Sequence, residues 1–83
     1  MKELTFEILE AEFRNWMNKF GKGRNKEGLR FGQYLWNYYD LNPLFGYGPN
    51  DQRDGAHDGF STEDAIVAYS IFSSKLVEQL NAK

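Results

Sequence analysis

The stretch LRFGQYLWNYYDL, residues 29–41, constrains the fold more than any other part of this chain. Set at about 100° per residue, Arg30, Gln33, Asn37 and Asp40 fall in one narrow arc. Leu29, Phe31, Tyr34, Leu35, Trp36, Tyr38, Tyr39 and Leu41 take the rest of the circumference. A helix that is apolar over most of its surface is buried on several sides. This predicts a central helix over 29–41 with the other elements packed around it. Gly32 lies in the apolar arc, where it costs ~1 kcal/mol of helix propensity relative to Ala. The expected compensation is close approach by another helix or a ring over the missing side chain. The tyrosine hydroxyls need partners or water, which puts the tips of Tyr34, Tyr38 and Tyr39 near the surface.

Two further helices are legible. Phe6, Leu9, Phe13, Trp16, Met17 and Phe20 recur at three- and four-residue steps, which predicts a helix over about 5–20. Thr5 is placed to cap it, Leu4 to staple onto Leu9, and Glu7 and Lys19 to complement the helix dipole. Gly21 and Gly23 end it. Asn25, in the polar connector GKGRNKEG, is a candidate cap for the central helix. After that helix, NPLF reads as a fresh turn with Asn42 as cap and Pro43 at the first helical position. The last helix is expected over 62–80, opened by Ser61 and Asp64 as a capping box. Its stripe is Ala65, Tyr69, Phe72, Leu76 and Leu80, widened by Ile66 and Val77, with Val67 and Ile71 pointing outward beside Ser70, Ser74 and Glu78. Leu9, Phe13, Trp16, Phe31, Leu35, Tyr69, Phe72 and Leu76 form the expected core. The fold class is all-α: one small three-helix domain with a central aromatic-rich helix and a long polar loop, 46–60, before the last helix.

Composition narrows the function. Eighty-three residues suit one domain, and an aromatic content of 17% supplies core volume from few positions. There is no cysteine, hence no disulfide and no thiolate metal site. No apolar run approaches the ~20 residues of a membrane span. The acidic start, MKELTFEILEAEF, does not read as a signal peptide. A cytoplasmic protein is expected, in the host cytoplasm if the source is viral. The net charge of −2 conceals a segregation. Lys19, Lys22, Arg24, Lys26 and Arg30 form a basic connector, a candidate phosphate-facing patch. Asp40, Asp51, Asp54, Asp58, Glu63 and Asp64 follow as an acidic set, countered only by Arg53.

Catalytic and cofactor chemistry finds no footing. Gly23 to Gly28 has phosphate-loop glycine spacing, but Leu29 and Arg30 stand where Lys and Ser/Thr must follow. Counted from Asp54 as a calcium loop, Asp58 and Gly59 are well placed. Ala56 and Ala65 then occupy the third and twelfth positions, where ligands are needed. His57 is the only histidine, so no multi-histidine metal site exists, and Ser61 beside it is better explained as a cap. No catalytic residue, metal or cofactor is expected, and the chain is read as a non-enzyme.

Residues 29–45, LRFGQYLWNYYDLNPLF, resemble a pattern in short α-helical proteins of tailed phages and prophages. The matching positions are Leu29, Arg30, Phe31, Gly32, Gln33, Leu35, Asn37, Pro43, Leu44 and Phe45. The resemblance covers about a fifth of the chain closely and the first helix loosely. The chain departs from the pattern in its glycine-rich acidic loop and long last helix. The resemblance implies a viral origin and an α-helical fold, and it carries over no activity. The leading expectation is a small phage or mobile-element accessory protein that binds another protein. Its contact residues would be Val67 and Ile71 with the edges of Trp36, Tyr34 and Tyr39. A homodimer through Val67 and Ile71 is the competing use of that face. Nucleic-acid binding by connector 19–30 is the alternative, weakened by the absence of a recognition motif and of net positive charge.

Overall fold

The computed structural model describes residues 2–46 and 62–81. In chain order these form strand β1 (Lys2–Glu3), helices α1 (Phe6–Phe20) and α2 (Phe31–Tyr38), strand β2 (Tyr39–Asp40), and helices α3 (Asn42–Phe45) and α4 (Ala65–Asn81). Among the described residues the fold is all-α apart from one two-residue parallel ladder, in which Lys2 pairs with Tyr39 and Glu3 with Asp40.

α1 follows the local signals closely. Thr5 Oγ1 accepts the Ile8 N–H at 3.2 Å, and Leu4 and Leu9 are both buried in the core. At the far end Gly21 takes a φ of 63° and donates its N–H to the Met17 carbonyl at 3.1 Å. L residues rarely adopt that φ, so glycine is the natural stop here.

α2 is shorter than the 29–41 expected, and both ends have a physical cause. Asn25 does not cap it. The Asn25 carboxamide oxygen instead accepts N–H groups from Glu27 at 3.0 Å and Leu29 at 2.9 Å, closing a turn. Helix begins after Arg30, whose N–H is taken by Gln33 Oε1 at 3.0 Å. It ends at Tyr38 because Tyr39 is extended and joins the ladder with β1. α3 is the turn expected at NPLF, but Asn42 is not its cap. The Asp40 carboxylate accepts the Asn42 N–H at 3.1 Å, and Gly46 closes the helix with a φ of 80°. α4 starts at Ala65 rather than 62, with Asp64 Oδ1 accepting the Ile66 N–H at 2.8 Å. Ser61, the loop 47–60 with His57, and the acidic residues Asp51, Asp54 and Asp58 lie outside the described residues.

The core joins Leu4, Leu9, Trp16, Phe31, Leu35, Trp36, Leu41, Ala65, Ala68, Phe72 and Leu76. α2 holds its centre, with Phe31, Gly32, Leu35 and Trp36 all buried. α4 packs against α1, α2 and α3. Phe13 and Tyr69, expected in the core, are half-buried at its rim. Their rings stack there with centroids 4.3 Å apart.

The inner face of α4 is also turned from the expected stripe. Ala68 is buried, while Ile66, Val77 and Leu80 are exposed. Ala65 and Ala68 lie inward with Phe72 and Leu76, and with that face turned to the core Ile66 and Val77 point away from it.

Leu35 and Phe72 are both fully buried. Replacing either by Ala should lower unfolding stability by about 2–5 kcal/mol. That is a large share of what a domain of this size holds. Denaturant titration of the two variants checks this. A midpoint close to that of the parent in both would contradict the packing described.

Candidate functional site

Three polar or exposed regions were candidates from the sequence, and their geometry separates them. The basic connector between α1 and α2 is bonded at several points. The Trp16 indole N–H donates to the Gly23 carbonyl at 3.1 Å, and the Ala65 N–H donates to the Lys22 carbonyl at 3.1 Å. The first contact ties the connector to α1 and the second to the start of α4. Its two arginines converge on one acid far away in sequence. Glu63 Oε1 lies 2.5 Å from Arg30 and 3.4 Å from Arg24. Arg24 also donates to the Gly28 carbonyl at 3.4 Å. Lys19, Lys22 and Lys26 are exposed. Two of the five cations of the candidate phosphate-facing patch are therefore engaged within the chain. Surface pairs of this kind contribute ~0–1 kcal/mol each, so the convergence fixes geometry more than it adds stability.

Around α2, two half-buried tyrosines, Tyr34 and Tyr39, are hydrogen-bonded within the chain. Glu12 on α1 accepts hydrogen bonds from Tyr34 at 3.1 Å and Tyr39 at 2.5 Å, both on the same carboxylate oxygen. Burial, then the neighbouring Glu12 charge, pushes the Tyr34 phenol up from 10.0 to about 12. Tyr39 is raised as well, first by burial and then by its hydrogen bond to Glu12. Both effects favour the neutral phenol, which can donate to the carboxylate. Beside the cluster is a cleft of about 190 Å³ whose lining includes Glu12, Trp16, Lys19, Phe20, Asn25 and Tyr34. Trp36, expected at a contact surface, is fully buried. It packs on Phe45 with ring centroids 5.2 Å apart. An indole at the centre of the core cannot serve as a surface anchor. Tyr38 is the exposed member of the aromatic set.

The outward face of α4 is the third region, and here the apolar surface is uncovered. Ile66 is 42% exposed, Val67 48%, Val77 45% and Leu80 61%. Ile71 is half-buried. Val67, Ser70, Ile71, Ser74, Lys75 and Glu78 line a shallow groove of about 350 Å³. Lys75 and Glu78 pair at 3.3 Å along its rim. Sequence reasoning found Val67 and Ile71 but assigned Ile66, Val77 and Leu80 to the core. The signal that could have corrected this is the pair Ala65 and Ala68, three residues apart on one face.

Among the described residues, no group of three or more His, Cys, Asp or Glu side chains is arranged to hold a metal ion. No helix among them is long and apolar enough to cross a membrane. No protein-family model matches the chain, and no curated protein or solved structure is significantly similar to it.

The tyrosine cluster carries a pH dependence with a definite sign. A phenol with a folded pKa above its unfolded value holds its proton more tightly when folded. Its stabilising contribution is complete below about pH 10 and is lost as pH rises toward about 12. Thermal midpoints measured across that range should fall for the parent chain. They should fall less for the Tyr34→Phe, Tyr39→Phe double variant, which has neither group to ionise. Equal slopes would show that neither burial nor Glu12 favours the neutral phenols.

Proposed function

We propose that this chain is a small non-enzymatic accessory protein of a phage or mobile element. It acts by binding another protein, such as a host or defence factor, and uses the outward face of α4 to do so. The supporting observation is the apolar exposure of that helix. Ile66, Val67, Val77 and Leu80 are each more than two-fifths exposed on one element. Single exposed apolar residues are ordinary, but several on one helix, with polar groups between them, favour an interaction site. Ser70, Ser74, Lys75 and Glu78 supply the polar groups. The viral part of the reading comes from the resemblance of residues 29–45.

Within the expected contact set, Val67 and Ile71 keep their place. Tyr34 and Tyr39 are committed to Glu12 and contribute at most their edges. Nucleic-acid binding through Lys19, Lys22 and Lys26 ranks second, because Arg24 and Arg30 already face Glu63. Nucleic-acid affinity that falls steeply with added salt would favour that second reading.

Affinity capture from a bacterial lysate tests the first reading. The parent chain should retain a defined partner, and Ile71→Asp and Leu80→Asp should each release it while keeping parent helicity. Such a change places an unpaired charge in the contact and weakens binding by about a hundredfold. Capture of the same partner by both variants would remove α4 from the function.

A further inference from the structure

We propose that a second copy of this chain covers the outward face of α4, with the two α4 helices antiparallel. This rests on the reading of that face as a contact surface and names its occupant. A foreign protein docking on the same face would compete with the second copy.

The inference comes from the order of residues along the exposed face. Val67, Ser70, Ser74, Val77 and Asn81 follow one another at alternating steps of three and four, and all are exposed. That spacing matches the inward positions of a helix pair, here with valine at two of the five and small or polar residues at the other three. The run Val67, Ser70, Ser74, Val77 reads the same in both directions. A two-fold axis beside residue 72 therefore sets Val67 against Val77 of the second copy and Ser70 against its Ser74. The same axis brings Ile66 to Leu80 of the other chain and Ile71 to its own mate. Each of the four exposed apolar residues of α4, and half-buried Ile71, meets an apolar counterpart under this one operation. Such self-complementarity is what an isologous contact requires. A parallel pair would instead carry Ile66 and Leu80 to opposite ends of the seam.

The small serines at the middle of the seam allow a close crossing, toward the lower end of the ~8–10 Å range of helix separations. Ser73 at the flank donates its hydroxyl to the Ser70 carbonyl at 3.2 Å, which satisfies that group without a partner. The strip is modest. Seventeen residues make α4 about 25 Å long, and a helix is about 10 Å wide. One such face falls short of the ~800 Å² per partner of a standard stable complex. The dimer is therefore weak and depends on concentration. Its one like-charge approach sets Glu78 near Asp64 of the other chain, so added salt should tighten it.

Solution mass as a function of concentration tests the arrangement on the full chain, with Val67→Glu, Val77→Lys and the double variant. The parent should move from one chain toward two as concentration rises. Each single variant should associate about a hundredfold more weakly, because a lone charge enters the seam. The double variant should regain dimer, since antiparallel pairing places each new acid against a new base. Circular dichroism should show parent helicity throughout. If a single variant loses helicity, the parent and the double variant still decide the matter.

A parent that stays monomeric to about 1 mM would overturn the proposal, and so would single variants that remain dimeric. A helical double variant that stays monomeric would overturn the antiparallel register. A monomeric parent whose capture of another protein is lost in Ile71→Asp would leave the function standing and reject the second copy. A dimeric parent whose capture is indifferent to Ile71→Asp would do the reverse.

Discussion

Ala65 and Ala68 lie buried on the inner face of α4 with Phe72 and Leu76. Neither has a side chain beyond Cβ to hold the helix away from its neighbours. Seating on these two positions lets α4 pack against α1, α2 and α3. It lets Phe72 reach the core, where it meets Phe45 edge-on with centroids 5.8 Å apart. The same seating decides what is left outside. With alanines inward, Ile66, Val67 and Val77 have no core to enter, and Leu80 projects beyond it. The core and the exposed apolar residues of α4 are thus two consequences of one rotational setting.

Polar contacts then fix what packing leaves loose. Glu12 joins α1 to Tyr34 on α2 and to Tyr39 on β2 through one oxygen. Glu63 draws both connector arginines to the start of α4. The backbone bond from Ala65 to Lys22 fixes the position where α4 begins. None of these bonds needs to be strong. Each removes a freedom that apolar packing, which is non-directional, does not remove. The tyrosines and arginines that looked available for partners are, in large part, occupied in holding the chain in register.

Much of this was legible from the residues in order. The α1 boundaries, its Thr5 cap and its Gly21 stop are local signals and were read within one residue. Leu9, Trp16, Phe31, Leu35, Phe72 and Leu76 were placed in the core by periodicity and are buried there. What escaped was set by distant neighbours. A two-residue ladder between Lys2–Glu3 and Tyr39–Asp40 has no local signature, yet it ends α2 early. Glu63 lies 39 residues from Arg24 and 33 from Arg30, so no window contains the triad. Ala68 carries little apolar weight in a stripe count, yet it is buried. Trp36 was expected outward because aromatic residues are common anchors, and its complete burial shows that volume governed its place.

The most direct test of the α4 account uses the absence of cysteine from the chain. Ile71 sits where the two-fold axis of the proposed pair would pass, so an Ile71→Cys variant carries a single thiol beside its own mate. Under mild oxidation it should give a disulfide-linked dimer that keeps parent helicity. A Glu7→Cys control, on the exposed start of α1, should stay largely monomeric. A disulfide forms only where Cα atoms come within roughly 4.4–6.8 Å, so rapid, selective linkage at 71 requires the close crossing described. Equal, slow linkage at both positions would contradict it.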